Sequence, residues 1–172
     1  LTDERKQALA ERYQLYKDVI YNYDDVEIDQ LGVGVYETTP YEDRLVGIAY
    51  STWLCTKIIT WGKNTWDTPL YGNYYSDDRA MIAKHAELLR DAGVDFIFID
   101  ATNGRSHEPY YEVILKVWSE MRAEGYDTPR IAFHCGNNDD LARASVTEVW
   151  NNLYSVGRYR DFWFLYNGKP LI

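Results

Sequence analysis

The sequence predicts an α/β domain built on a parallel sheet of βα repeats. Three observations carry this. Oily runs of strand length recur along the chain, amphipathic runs of helix length alternate with them, and each oily run from the first onward ends in polar or aromatic residues. Strands buried on both faces read as nearly unbroken apolar runs, and parallel neighbours need a helical crossover between them. Such an alternation fits a small open sheet. It fits equally the first four strands of an eight-stranded barrel, whose full length is about 250 residues.

The elements follow in order. "TDERKQALAERYQLYKDVI" opens on Thr2 as a helix cap with acids behind it, and Leu9, Tyr13, Tyr16 and Ile20 share one helical face. Residues 1–42 are expected to form this helix and an irregular lead-in, and 43–172 the βα domain. "LVGIAYSTW", 45–53, is the first strand. "SDDRAMIAKHAELLRDAG" gives Ser76 as cap, Asp77 and Asp78 in the first turn and Gly93 as the stop. "VDFIFIDA" is the second strand. "HEPYYEVILKVWSEMRAEG" puts Pro109 near the first helical position and Gly125 at the end. "TPRIAFHCG" is the third strand, "NNDDLARASVTEVWNNLYSVG" a further helix ending near Gly157, and "RDFWFLYNGKPLI" a fourth strand with a turn at "NGKP".

Composition narrows the function classes. The chain of 172 residues has a formal charge of −9, which repels phosphate backbones and argues against a nucleic-acid partner. No apolar run is long enough to span a membrane, and neither a signal peptide nor an initiating Met opens the sequence. Cys55 and Cys135 stand near the ends of the first and third strands, in no CxxC pattern, and are expected as free thiols. Aromatic residues reach 16 %, with 16 Tyr and 6 Trp, and rings with a polar handle suit wet binding surfaces as well as cores.

The chemistry is expected where the strands end. Asp100 closes the run Phe96–Ile99, and alternation places Phe96, Phe98 and Asp100 on one face. A buried carboxylate without compensation is costly, so Asp100 belongs at the rim. It then either serves a site or caps the amides of the following "ATNG" loop. The other strands end in Tyr50–Trp53, His134–Asn137 and Tyr166–Lys169, and parallel strands bring such ends to one mouth. The loop "TWGKNTWDTPLYGNYY" adds Trp61, Trp66, Tyr71, Tyr74 and Tyr75 beside Asn and Asp, a combination suited to stacking on sugar rings. His107 and Glu108 are placed to edge the mouth, and His85 reads as structural. No pair of histidines has metal-ligand spacing, so neither metal nor cofactor is expected. There is no GxSxG, P-loop or GxGxxG, and "GVGVY" lacks the strand–turn–helix setting of a nucleotide loop. Glycosidic cleavage generally needs two facing carboxylates. Asp100 supplies one, and neither Asp67 nor Glu108 makes a convincing second.

"YYSDDRAMIAKHAELLRDAGVDFIFIDATNG", "TPRIAFHCG" and "WFLYNGKPLI" resemble bacterial glycoside-hydrolase-like proteins related to the endo-α-mannanase and α-1,3-glucanase families. The resemblance covers about residues 43–172. It implies a (β/α)8 TIM-like barrel of which this chain is the amino-terminal half, acting on an oligosaccharide or polysaccharide in a secreted or periplasmic setting. It implies that Asp100 and Asn103 sit at a sugar-facing mouth with Trp53, His134, Tyr166 and Lys169 near them. From the residues themselves, Asp100 is expected either to bind sugar hydroxyls or to act as one of the carboxylates, and the loop with Trp61 and Trp66 to shape a subsite. The second carboxylate is then expected on a later strand, leaving this chain alone inactive, with its exposed last strand free to pair with the missing half or another chain. The rival expectation is a non-catalytic carbohydrate-binding or interaction domain on an open α/β sheet.

Overall fold

The computed structural model describes residues 44–54 and 69–172. Three strands, β1 (Gly47–Tyr50), β2 (Phe96–Ala101) and β3 (Arg130–Cys135), form one parallel sheet in the order β1-β2-β3. Helix α1 (Arg79–Asp91) connects β1 to β2, α2 (Glu108–Ala123) connects β2 to β3, and α3 (Asp139–Val149) follows β3. The open parallel sheet alternating with helices is thus observed. The expected helix over 2–20 and Trp61, Trp66, Asp67 and Cys55 lie outside the described residues.

All three helices pack on one face of the sheet. Ile97, Ile99 and Ala101 of β2 and Ile131 and Phe133 of β3 join a single core with Ile82 and Ala86 of α1, Tyr111, Ile114 and Trp118 of α2, and Val149 of α3. The pleat sends alternate residues to opposite faces, so the "I-I-A" half of "FIFIDA" meets the helices. Trp118 lies at the centre, fully buried, its Nε1 donating to the Ile82 carbonyl at 3.3 Å.

Helix starts follow side-chain hydrogen bonding. Asn138 accepts from the Leu141 amide at 3.0 Å and caps α3 as a short polar residue should. In α1 the cap is Asp78, which accepts from the Met81 amide at 3.1 Å, and not Ser76 as the sequence pattern suggested. Both residues fit the capping pattern, but the helix starts two residues later than expected, and only Asp78 then stands three before an orphan amide. The helix after β3 does not run unbroken to Gly157. It passes into a π turn over Trp150–Tyr154, closed by the Ser155 amide on the Trp150 carbonyl at 2.8 Å. Leu153 and Tyr154 of this turn are both buried in the same core as Val149.

The fourth strand departs most from expectation. A parallel contact to β3 exists at Ile131 and Trp163, with the Phe164 amide donating to the Ile131 carbonyl at 2.8 Å. The chain then turns back as an antiparallel hairpin, β4 (Leu165–Tyr166) with β5 (Lys169–Pro170). The cause is local. Asn167 and Gly168 both take positive φ, 50° and 76°, the requirement of a type I′ turn, and Asn-Gly is its favoured pair. The expected fourth strand is therefore one parallel bridge, and the expected turn at "NGKP" closes a short hairpin.

The second face of the sheet carries no described helix. Gly47 and Ala49, then Phe96, Phe98 and Asp100, then Arg130, Ala132 and His134 line it, in register across the three strands. Phe96 stacks on Phe164 at 3.9 Å and lies over Gly47, where any Cβ would run into its ring. Among the described residues no helix is long and apolar enough to cross a membrane.

Candidate functional site

The carboxyl ends of β1, β2 and β3 lie on one side, as parallel pairing requires. Asp100 and His134 are register partners on neighbouring strands and project from the same face, the one that carries no described helix. The Phe98 ring meets His134 edge-on at 6.1 Å, one layer below Asp100. An acid and an imidazole thus stand side by side at the rim above an aromatic floor.

Asp100 is partly engaged. Its Oδ1 accepts from the Thr102 amide at 3.0 Å and from the Thr102 hydroxyl at 2.8 Å. The loop-capping alternative is therefore realised, through one oxygen. A carboxylate has about four acceptor sites, so lone pairs are left for a ligand. Asn103 follows as an exposed residue of the same loop.

The loop after β2 brings a second group to this edge. His107 caps α2 in a left-handed conformation, φ 55°, uncommon for a residue other than glycine, and makes no side-chain capping bond. Its ring lies parallel to that of Trp53 from the end of β1, centroids 6.2 Å apart and planes 20° apart. Trp53 Nε1 is buried without a hydrogen-bond partner among the described residues. Burial lowers the His107 pKa, and the positive charge of Arg105 lowers it further. The carboxylates of Asp100 and Glu148 pull against this without reversing it. His107 is thus a mainly neutral imidazole between two acids at physiological pH.

Glu148 is the residue the sequence reading missed. It comes from the last turn of α3, and its Oε2 accepts from the Ser106 amide at 2.7 Å, which ties the β2–α2 loop to that helix. Nothing local distinguishes it from other helix acids; only the packing of α3 beside that loop brings it to His107. Glu108, the neighbour expected to edge the mouth, serves elsewhere. It binds Asn152 at 2.9 Å and Arg158 at 3.2 Å, in a network where Arg158 also pairs with Glu112. Glu108 and Glu112 lie one helical turn apart and both face the segment after α3, so they hold α2 to it.

The remaining candidates separate. Trp53, Asp100 and His134 share the strand-end rim. Tyr166 and Lys169 instead face each other across the β4–β5 hairpin, with Tyr166 61 % exposed. The turn-back of the fourth strand makes their relation to the rim different from that of a fourth parallel strand end. Cys135 is a free thiol whose pKa burial raises. Among the described residues no group of three or more His, Cys, Asp or Glu is placed to hold a metal ion.

A larger cavity, about 920 Å³, opens at the opposite, amino ends of the strands. Several of its charged groups are engaged with one another or with the backbone. Asp95 accepts from the Val46 amide at 2.6 Å, Arg90 pairs with Asp91 at 2.9 Å, and Arg122 donates to Thr128 and Pro129. The rim gathers Asp100, His107 and His134 at the strand ends.

Comparison with protein-family models, with curated proteins and with solved structures finds no match to this chain.

Proposed function

We propose that the chain is part of a carbohydrate-active protein, a glycoside hydrolase of TIM-like barrel architecture, and that the uncovered face with Asp100 at its rim is sugar-facing. The carrying observation is the one-sided sheet: sequential strand order β1-β2-β3, every described helix on one face, and the next chain segment joining beside β3 at Trp163. Sequential order with one helical layer is how a barrel winds, whereas a doubly wound sheet reverses direction and covers both faces. The sequence resemblance to α-mannanase and α-1,3-glucanase relatives supports the same reading.

In this reading Asp100 offers its Oδ2, which has no partner among the described residues, either to sugar hydroxyls or to the reacting centre. Thr102 fixes the carboxylate through Oδ1. Trp53 and Phe98 supply flat apolar surface, while His107 and His134 supply hydrogen bonds. Hydrolysis needs a second carboxylate roughly 5–10 Å from the first. Glu148 is the acid nearest in role, yet its Ser106 bond gives it a structural task as well. The second reading, a non-catalytic binding domain, is favoured by that same observation and by the Asx turn at Asp100.

The test is a glycan-hydrolysis screen of the full gene product beside its Asp100→Asn variant, with α-mannan and α-1,3-glucan among the substrates. Turnover that falls about 100-fold or more in the variant supports a catalytic Asp100. Equal turnover removes Asp100 from the reaction. Binding of glycans with no turnover by either protein favours the binding domain.

A further inference from the structure

We propose that a second, separate pocket, between the end of β1 and helix α1, binds one small neutral polyhydroxylated molecule of about the size of a single sugar ring. The pocket encloses about 220 Å³. That is the liquid volume of roughly seven waters, and less than the roughly 300–1,000 Å³ of pockets for drug-sized ligands. It is lined by Tyr50 and Ser51 from β1 and its exit, by Tyr74, Tyr75 and Ser76 from the lead-in to α1, and by His85 from α1.

Among the described residues the lining is uncharged: none of them that contributes to it is Asp, Glu, Lys or Arg, in a chain where a quarter of all residues are charged. The two titratable types present are held neutral by their surroundings. Burial raises the Tyr50 phenol far above its ordinary value, and it lowers His85 to about 4. A charged ligand would therefore enter with no counter-charge, at the cost of its own hydration. A neutral ligand meets no such penalty.

The pocket also has hydrogen bonds to give. Ser76 is 8 % exposed, and its Oγ has no partner among the described residues. A buried hydroxyl without a partner costs about 1–3 kcal/mol and points to a missing one. Tyr50 OH lies 2.8 Å from His85 Nδ1. With the phenol donating to Nδ1, the neutral imidazole carries its proton on Nε2, and that N–H is a donor. Tyr74 meets the His85 ring edge-on at 5.3 Å, which fixes the ring plane. Tyr75, 42 % exposed, stands at the lip as a stacking surface. Flat rings, one unsatisfied hydroxyl, one oriented imidazole and no charge together fit a sugar ring or similar polyol. The inference does not depend on hydrolysis at Asp100, because none of Trp53, Asp100, His107 and His134 lines the pocket.

The experiment is saturation-transfer and ring-nitrogen resonance measurement on the full chain, with methyl α-mannoside and methyl α-glucoside as probes and glucuronate as the charged control. Wild-type protein should show transfer from a neutral glycoside and a shift of the His85 ring signals. Ser76→Ala and Tyr75→Ala should each weaken the effect about 3- to 10-fold with an unchanged melting temperature. Tyr75 is exposed enough that its variant keeps the fold even where the serine variant does not. Asp100→Asn should leave the binding intact. Absence of transfer at about 50 mM glycoside, the weak end of useful affinity, would overturn the proposal. So would equal binding of glucuronate, or a signal that survives Ser76→Ala and Tyr75→Ala but vanishes in Asp100→Asn, which would move the ligand to the rim.

Discussion

The two faces of β2 come from one six-residue stretch, "FIFIDA", and behave as two different materials. Ile97, Ile99 and Ala101 are 0 % exposed and packed by three helices; Phe96, Phe98 and Asp100, one residue out of phase, all keep some exposure. On the helix side the apolar residues are met by a described partner at every level. On the other side the apolar rings lead up to an acid and a histidine. Hydrophobicity alone does not separate the faces, since Phe is as oily as Ile. The difference is that one face is packed by the described helices and the other carries none of them, and an apolar surface without such packing is a place for something to bind.

The largest expected effect tests the closed side. Trp118→Ala removes the side chain at the centre of the core together with its bond to the Ile82 carbonyl. It should cost about 3–5 kcal/mol, read as a lower urea midpoint. Phe98→Ala, on the open face, should cost less than half as much. Equal losses would mean that the open face is covered in solution, and the comparison would fail.

A second prediction concerns how dry the helix side is at the edge strand. His85 packs under β1 against Tyr50 with its pKa lowered from 6.5 to about 4 by burial. Between those values the unfolded chain takes up a proton that the folded chain refuses. Stability from this group is therefore full above about pH 6.5 and declines as pH falls towards 4, by on the order of 3 kcal/mol. Urea midpoints from pH 7 to pH 4.5 should drop more steeply for the wild type than for His85→Gln, which has no proton to gain. Parallel slopes would mean that water reaches His85.

The contrast between faces also explains what was legible in the sequence. The helix side is written locally: periodic apolar positions, capping residues near each helix start and the unbroken run before Asp100 are enough to predict three strands and three helices, although the cap of α1 is Asp78 where Ser76 was expected. Placement of Asp100, Trp53 and His134 at one rim follows from strand ends alone. Contacts that depend on how separate elements pack were not legible. Glu148 looks like any helix acid, and Glu108 turns from the mouth because its helical phase points it to Arg158. The fourth strand was legible in part. The turn at "NGKP" lies where the sequence put it, but "WFLY", despite its strand chemistry, makes only a short contact with β3 before Asn167-Gly168 reverses the chain.

A third prediction probes the lower layer of the open face. Gly47→Ala places a methyl group against the Phe96 ring, which is itself pinned by stacking on Phe164. The ring cannot withdraw freely, so the cost should be about 1–3 kcal/mol. Made in a Phe96→Leu background, the same substitution should cost markedly less, because the smaller side chain frees the space. A double-mutant cycle in urea measures the coupling. No coupling would mean that Phe96 swings aside readily and that this layer is loosely held.

The smallest expected effect is the most informative about the rim. Asp100→Asn keeps an oxygen that accepts from the Thr102 amide and hydroxyl, so the loop geometry and the stability should hold to within about 0.5 kcal/mol. Asp100→Ala removes the acceptor and leaves the buried Thr102 hydroxyl unpaired, at about 1–2 kcal/mol. If stability were the only duty of Asp100, the asparagine variant would be indistinguishable from wild type in every assay. A group that needs its negative charge behaves otherwise: ligand binding or turnover falls while the melting curve stays in place. The divergence of those two readouts in one variant separates a carboxylate that merely closes a turn from one that the open face presents to a ligand.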